Sequence, residues 1–153
     1  MEHNKEFLNL LLDRRSCRAF RPDPVDRPTL AAIVEAGRYA PSAMNIQKNH
    51  FYIITDPALL TQLTETVSRK LENFTGRDFR YGAPALVLVT NRKRNTMALQ
   101  DASCAMENMM LAAYSMGVGS CWINQPFHLQ DDPDLRALLA PLGVTEKDLL
   151  CCA

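Results

Sequence analysis

The stretch Met97–Met116, MALQDASCAMENMMLAAYSM, decides the kind of fold that we expect from this sequence. Apolar side chains occupy almost every face of a helix at these positions, and only a thin scatter of polar residues interrupts them. A helix that is apolar nearly all round is buried, either in the core of its own domain or against a partner subunit. The methionines within it are most simply explained as core packing.

Shorter elements surround this helix, and together they predict one α+β domain over residues 1–153. The expected helices are Glu2–Asp13, a helix capped by Asp26 that stops before Pro41, and two helices that begin at Asp56-Pro57 and Asp132-Pro133. The expected strands are Phe51–Thr55, Ala85–Thr90 and Ser120–Ile123. The apolar run Asp148–Ala153 is either a C-terminal edge strand or the start of a longer natural C-terminus, and the sequence leaves both open.

The composition of the 153 residues excludes several classes of protein. A hydrophobic fraction of 47% and a formal net charge of zero predict a globular domain without a nucleic-acid or membrane-surface partner. Five cysteines without C-x-x-C spacing argue against a disulfide scaffold and a zinc site. We find no signal-peptide pattern and no apolar run long enough to span a bilayer, so we expect a cytoplasmic protein.

The first candidate binding segment is a cluster of arginines after the first predicted helix: Arg14, Arg15 and Arg18, with Ser16 among them. Guanidinium groups suit a phosphate because they donate paired, charge-assisted hydrogen bonds, and a serine hydroxyl adds another donor. The alternative is a solvated helix end, where positive charge is also favourable. Composition alone favours this second interpretation.

The second candidate segment is Ala40–Gln47, in which three uncharged hydrogen-bonding side chains (Ser42, Asn45 and Gln47) follow a helix stop. Such groups suit the edge of a heteroaromatic ring, although an ordinary loop also uses them. Gly117-Val118-Gly119 follows a helix and opens a strand, which is the reverse of a dinucleotide-binding fingerprint. We find no catalytic triad, acid–base pair or metal site, so a cofactor would have to carry any redox chemistry.

Taken in order, these segments resemble the nitroreductase family of FMN-dependent reductases that use NADH or NADPH. The resemblance rests on Arg14–Phe20, Ala40–Gln47, the apolar strand after Gly82-Ala83-Pro84, the long helix and Gly117–Ile123, and it covers roughly residues 7–152. It implies a three-layer sandwich with a central, mostly antiparallel sheet flanked by helices. It also implies a homodimer built around the long helix, with FMN at the interface.

The resemblance further implies which residues bind the flavin. The phosphate and ribityl ligands would be Arg14, Ser16 and Arg18, with Arg15 beside them. The isoalloxazine ring would be lined by Pro41, Ser42, Ala43, Asn45 and Gln47 of the other subunit, and Ser120, Cys121 and Trp122 would pass beside it. No side chain would need to act as an acid or a base.

The implied mechanism is ping-pong, with hydride passing from NADH or NADPH to flavin N5 and then electrons to a nitroaromatic, a quinone or another small acceptor. Two departures from the family pattern stand out. No C-terminal basic residue follows Ala153, and Lys48 stands where many relatives have proline. The alternatives are a flavin-binding or storage module without useful turnover and a plain anion-binding domain.

Overall fold

The chain folds as helices around a small antiparallel sheet in the computed structural model, which describes residues 5–153. The helices are α1 (Lys5–Asp13), α2 (Arg27–Arg38), α3 (Pro57–Lys70), α4 (Ala98–Ser115), α5 (Gln125–His128) and α6 (Pro133–Leu139). The strands are β1 (His50–Ile54), β2 (Leu86–Arg92) and β3 (Asp148–Cys152). Short 3-10 helices occur at Ala43–Asn45, Glu72–Phe74 and Ala140–Leu142. The expected α+β class is confirmed.

The sheet has the order β1-β2-β3, and both pairs of strands are antiparallel. β2 therefore lies in the middle, and its apolar sequence is buried on both faces, as expected for such a run. Leu88 packs into one core cluster and Val89 into another, because successive side chains of a strand point to opposite faces. Helices cover the two faces of the sheet.

Three aspartates start helices where the sequence predicted caps. Asp26 accepts a hydrogen bond from the Thr29 backbone N–H at 2.8 Å, and Asp56 and Asp132 act in the same way on α3 and α6. A proline follows each cap in the first turn of its helix, where its missing N–H costs nothing. These caps set where the helices leave the sheet.

Helix α4 packs along α2 with one face in the core. The approach is close at Gly37, where a Cβ atom would lie 2.7 Å from Cγ of Met109. The buried residues of α4 are Ala98, Asp101, Ala102, Ala105, Met106, Met109, Met110 and Ala113. The expected burial is thus confirmed for one face, whereas Leu99 and Tyr114 are 43% and 40% exposed.

The structure corrects the strand that we expected at Ser120–Ile123. Ser120 forms only an isolated parallel bridge with Ser16, and Ile123 exchanges two hydrogen bonds with Ala153. The segment makes single pairings with two different neighbours, so no continuous ladder forms. It leads instead into α5, which the sequence interpretation missed.

The two ends of the chain also differ in part from expectation. The helix expected at Glu2–Asp13 is present as α1, while residues 2–4 lie outside the described part of the chain. The C-terminal run forms β3, which lies at the edge of the sheet. Across residues 5–153, we find no helix with the length and apolar character needed to cross a membrane.

Candidate functional site

The arginine segment, residues 14–18, lies against the turn that follows α4. The Cys17 backbone N–H donates to the Ser120 carbonyl at 2.9 Å. Gly119 permits this close approach, since a Cβ atom there would lie 3.2 Å from Cβ of Cys17. The structure therefore brings together two of the predicted segments, the arginines and Ser120.

Arg14 is the one arginine of this segment that is partly buried rather than exposed. Its side chain is 21% exposed, and its Nε atom lies 3.9 Å from a carboxylate oxygen of Glu107 on α4. Its Nη1 atom is buried and has no hydrogen-bond partner among residues 5–153. A buried donor left unpaired costs about 1–3 kcal/mol, so an anion that accepts from it would fit this position.

The other two arginines of the segment differ in what they contact. Arg15 donates from Nη1 to the Leu12 carbonyl at 2.7 Å and to the Arg14 carbonyl at 3.1 Å, which closes the C-terminal end of α1. The helix-end interpretation thus describes Arg15. The Arg18 side chain is exposed, and its guanidinium has no ion-pair partner in the described part of the chain. Arg14 and Arg18 therefore keep most of their guanidinium donors available, and Arg15 uses its Nη1 group to close the helix.

The second segment, residues 41–47, forms a loop with a single turn of 3-10 helix. Met44, Asn45 and Gln47 have φ angles of 50°, 53° and 54°, in the left-handed region that residues other than glycine rarely adopt. Such conformations cost of order 1–3 kcal/mol each, and they persist where the surroundings enforce them. Such conformations are often found at binding sites, which is consistent with the loop 41–47 as a candidate binding segment.

The polar side chains of this loop are only partly engaged. The Ser42 hydroxyl accepts a hydrogen bond from the Gln47 backbone N–H at 3.0 Å, as in an ordinary loop. The side chains of Asn45 and Gln47 are exposed, and their amides have no partner within residues 5–153. Pro41 is also exposed. Two amides are thus free to meet a ligand with mixed donors and acceptors.

Both segments are attached to α4, but at different places. Arg14 lies near Glu107, whereas the Ala43 backbone N–H donates to Asp101 Oδ1 at 2.8 Å. At 1.5 Å and 100° per residue, the two contacts are roughly 9 Å apart along the helix and about 120° apart around it. No hydrogen bond or ion pair joins the loop to the arginine segment between residues 5 and 153. Within one chain, the structure does not unite them.

The residues after Ser120 turn their side chains into the protein. Cys121 packs against one core cluster and Trp122 against the other. The indole N–H of Trp122 donates to the Asn124 side chain at 2.7 Å. Both side chains are partly buried, so a ligand beside this segment would meet its backbone as well as the exposed parts of these two side chains.

A cavity of about 440 Å³ lies between α2, α4 and the start of β2. Methionines 106, 109 and 110 form part of its wall, and Ser120 and Cys121 are the predicted site residues that line it. Arginines 14, 15 and 18 and the loop 41–47 do not line it. The arginine segment therefore does not line this cavity, although Phe20 and Arg21, which follow it in the chain, do.

The two cysteines at the end of β3 are poor nucleophiles. Burial raises the pKa of Cys151 to about 12 and shifts the pKa of Cys152 in the same direction. A thiol with such a pKa stays protonated at neutral pH, and the thiolate is the reactive form. The structure therefore offers no activated thiol at this point.

Comparisons with known proteins agree on one family. The model of the nitroreductase family matches residues 11–153. A protein of Archaeoglobus fulgidus, provisionally named an NADH dehydrogenase/NAD(P)H nitroreductase, is 30% identical over 94% of this chain and 79% of its own length. The crystal structure of a Bacteroides fragilis nitroreductase with bound FMN is 37% identical, with a TM-score of 0.90 over 96% of this chain and 84% of that one.

A more distant solved structure supports the fold. An FMN-bound nitroreductase from Desulfitobacterium hafniense is 23% identical, with a TM-score of 0.85 over 99% of this chain and 87% of that one. The resemblance drawn from the arginine segment, the polar loop and the long helix is thus confirmed at the level of the family and its fold. The chain belongs to the nitroreductase family.

Proposed function

We propose that this protein is an FMN-dependent oxidoreductase that passes electrons from NADH or NADPH to a nitroaromatic, a quinone or a similar small acceptor. The observation that carries the proposal is the buried, unpaired Nη1 atom of Arg14 in a chain that belongs to the nitroreductase family. A phosphate oxygen is an acceptor that suits this donor. The FMN-bound relative from Bacteroides fragilis supports FMN as the source of that phosphate.

The phosphate and ribityl chain would be held by Arg14, Ser16 and Arg18. Arg14 and Arg18 have donors to spare, and the exposed hydroxyl of Ser16 lies between them in the sequence. Arg15 would add positive charge while it closes α1. Each charge-assisted hydrogen bond contributes about 1.5–3 kcal/mol, so these residues would supply part of the free energy of FMN binding.

The flavin ring would lie against the loop of a second subunit. Because the loop and the arginine segment meet α4 on different sides, one chain does not bring them together, and a homodimer provides the missing half of the site. The ring would then contact Pro41, Ser42, Ala43, Asn45 and Gln47 of one subunit and the backbone near Ser120, Cys121 and Trp122 of the other.

Exposed apolar side chains on α1, α4 and the loop support such a dimer. Leu12 is 69% exposed, Met44 is 88% exposed, and Leu99 and Tyr114 on α4 are also open. Apolar surface of this extent on adjoining elements favours association, since its burial releases roughly 25 cal/mol per Å². We propose that residues 1–153 form one domain of each subunit.

The chemistry that FMN supplies when bound is the acceptance of a hydride from NADH or NADPH and the later transfer of electrons to the acceptor, in two separate half-reactions. The protein would contribute binding, orientation and hydrogen bonds to the ring. NADH and NADPH as electron donors are consistent with a cytoplasmic location, which we also propose. No side chain of the site needs to move a proton.

Two measurements test the proposal. The protein should be purified with a yellow cofactor, or FMN should raise its thermal midpoint. A colourless protein whose thermal midpoint does not change when FMN is added would overturn the flavin assignment. Anaerobic mixing with NADH or NADPH should bleach the flavin within milliseconds to seconds. A bound flavin that stays oxidised with both donors would reduce the protein to a flavin-binding module.

A further inference from the structure

We propose that Asp101 is a positioning residue for the flavin ring, because its buried carboxylate holds the loop 41–47 in place. This inference rests on the proposed function. In the sequence, Asp101 is one of the few polar residues scattered along an otherwise apolar helix. Its burial and its contacts point to a more specific role.

The carboxylate of Asp101 is only 3% exposed, and both of its oxygens accept hydrogen bonds. Oδ1 accepts from the Ala43 backbone N–H at 2.8 Å, and Oδ2 accepts from the Asn95 side-chain amide at 3.1 Å. A charged acceptor makes a stronger hydrogen bond than a neutral one. The bond to Ala43 is therefore a strong link between α4 and the loop.

The rest of the network fixes Asp101 itself. The Asn49 amide donates to the Asp101 backbone carbonyl at 3.0 Å and accepts from the Asn91 amide at 2.8 Å. The Asn95 amide closes the ring by donating to Asn91 at 3.1 Å. Asn91 lies in the central strand and is 0% exposed. This network of hydrogen bonds connects the carboxylate to the central strand of the sheet.

The loop depends on this link because it has little else to hold it. Among the described residues, the other backbone hydrogen bonds of residues 42–47 stay within the loop: Asn45 and Gln47 donate to Ser42, and Ile46 donates to Ala43. Met44 is 88% exposed and thus adds almost no packing. Three residues of the loop have left-handed backbones. A strained, weakly packed loop keeps one conformation only where a fixed group enforces it.

The bond between Asp101 and Ala43 can be removed from either side. In Asp101→Asn, a single side-chain oxygen remains, and it cannot accept from both Ala43 and Asn95. The new NH₂ group then lies against an N–H donor instead of an acceptor. Ala43→Pro deletes the N–H and keeps the carboxylate. Ser42 before it is extended, with φ −134° and ψ 152°, which is the conformation that a residue preceding proline prefers.

Asp148→Asn is the matched control. Asp148 is also 3% exposed, and it also accepts a backbone N–H, that of Thr145, at 2.8 Å. It lies in β3, and within residues 5–153 none of its hydrogen bonds or ion pairs involves the loop. Its substitution therefore measures the general effect of losing a buried carboxylate.

The readouts are the dissociation constant for FMN, the absorbance maxima of bound flavin and the thermal midpoint without FMN. Removal of a charged hydrogen bond should raise the dissociation constant about tenfold or more. Asp101→Asn and Ala43→Pro should also shift the flavin spectrum in the same direction. Asp148→Asn should lower the midpoint and leave both flavin readouts unchanged.

The outcomes distinguish a failure of the proposed function from a failure of the role of Asp101. If the wild-type protein binds no FMN, the proposed function fails and this inference fails with it. If the wild type binds FMN and Ala43→Pro leaves affinity and spectrum unchanged, the role of Asp101 is refuted while the function stands. Equal flavin effects in Asp148→Asn would refute it as well. Should Asp101→Asn not fold, unchanged affinity and spectrum in Ala43→Pro would still refute the role of Asp101.

Discussion

Replacement of Arg14 by methionine should change the stability of the protein in opposite directions without and with FMN. Methionine has a similar length and no polar group that needs a partner. In the protein alone, it removes a buried Nη1 donor that has no partner among residues 5–153. With FMN, it removes a donor to the phosphate.

The size of both effects follows from the contacts of Arg14. The unpaired donor costs about 1–3 kcal/mol, which the substitution recovers. The ion pair with Glu107 is long, at 3.9 Å, and its partner is half exposed, so its loss costs about 0–1 kcal/mol. The protein without FMN should thus be equally stable or up to about 3 kcal/mol more stable. FMN binding should weaken by about 1.5–3 kcal/mol, which is roughly a 10- to 150-fold rise in the dissociation constant.

Thermal unfolding with and without FMN, together with fluorescence titration of the flavin, measures both quantities. The control is Arg69→Met, which removes a surface arginine that pairs with Asp134 at 3.2 Å on another side of the protein. It should leave FMN affinity unchanged. The reasoning is refuted if Arg14→Met binds FMN as tightly as the wild type. It is also refuted if the substitution lowers the midpoint of the FMN-free protein by several degrees.

Three further outcomes concern stability and reactivity. Gly37→Ala should destabilise the protein by about 1–3 kcal/mol in urea unfolding, since the new Cβ atom meets Met109 at 2.7 Å. The loss should shrink when Met109 is also replaced by alanine, and an additive double mutant would contradict the contact. Burial raises the pKa of Asp148, but hydrogen bonds and a nearby arginine outweigh it and hold the pKa below 3.8. The stability that the Asp148 carboxylate contributes should be complete above about pH 5 and lost as the pH falls through its folded pKa. In a plot of thermal midpoint against pH, Asp148→Asn should therefore show a smaller fall on the acid side than the wild type. Parallel plots for the two proteins would argue against this role of Asp148. Cys151–Cys152 should resist thiol reagents at pH 8 until urea unfolds the protein, and labelling of either in the native state, located by mass spectrometry, would contradict their burial.

Local signals in the sequence sufficed for most of the fold. The caps at Asp26, Asp56 and Asp132 were predictable because a short acidic side chain before a proline satisfies the first N–H groups of a helix. The burial of β2 followed from its uninterrupted apolar run. These features depend on residues close together in the chain, so they could be read from it directly.

Features that depend on distant residues were harder to predict. Ser120–Ile123 has the composition of a strand, but its neighbours are the arginine segment and the end of β3, which no local pattern identifies. The role of Asp101 was missed for the same reason, since its partner Ala43 lies far away in the sequence. The available signal for Asp101 in the sequence was its position as a polar residue inside an apolar helix.

The candidate site was predictable as two segments but not as an arrangement. The sequence singled out the arginines and the polar loop, yet it did not separate Arg15, which closes α1, from Arg14, whose buried donor is unpaired. That difference depends on the end of α1 and on Glu107 of α4. It became visible only with the packing of the two helices.

Helix α4 carries both the contact to the arginine segment and the contact to the polar loop. In the dimer that we propose, the arginines of one subunit and the loop of the other would bind the same flavin, so each α4 would contact binding segments of both flavins. A helix of 18 residues is about 27 Å long. The two flavin sites of the dimer would therefore share α4 as a common support.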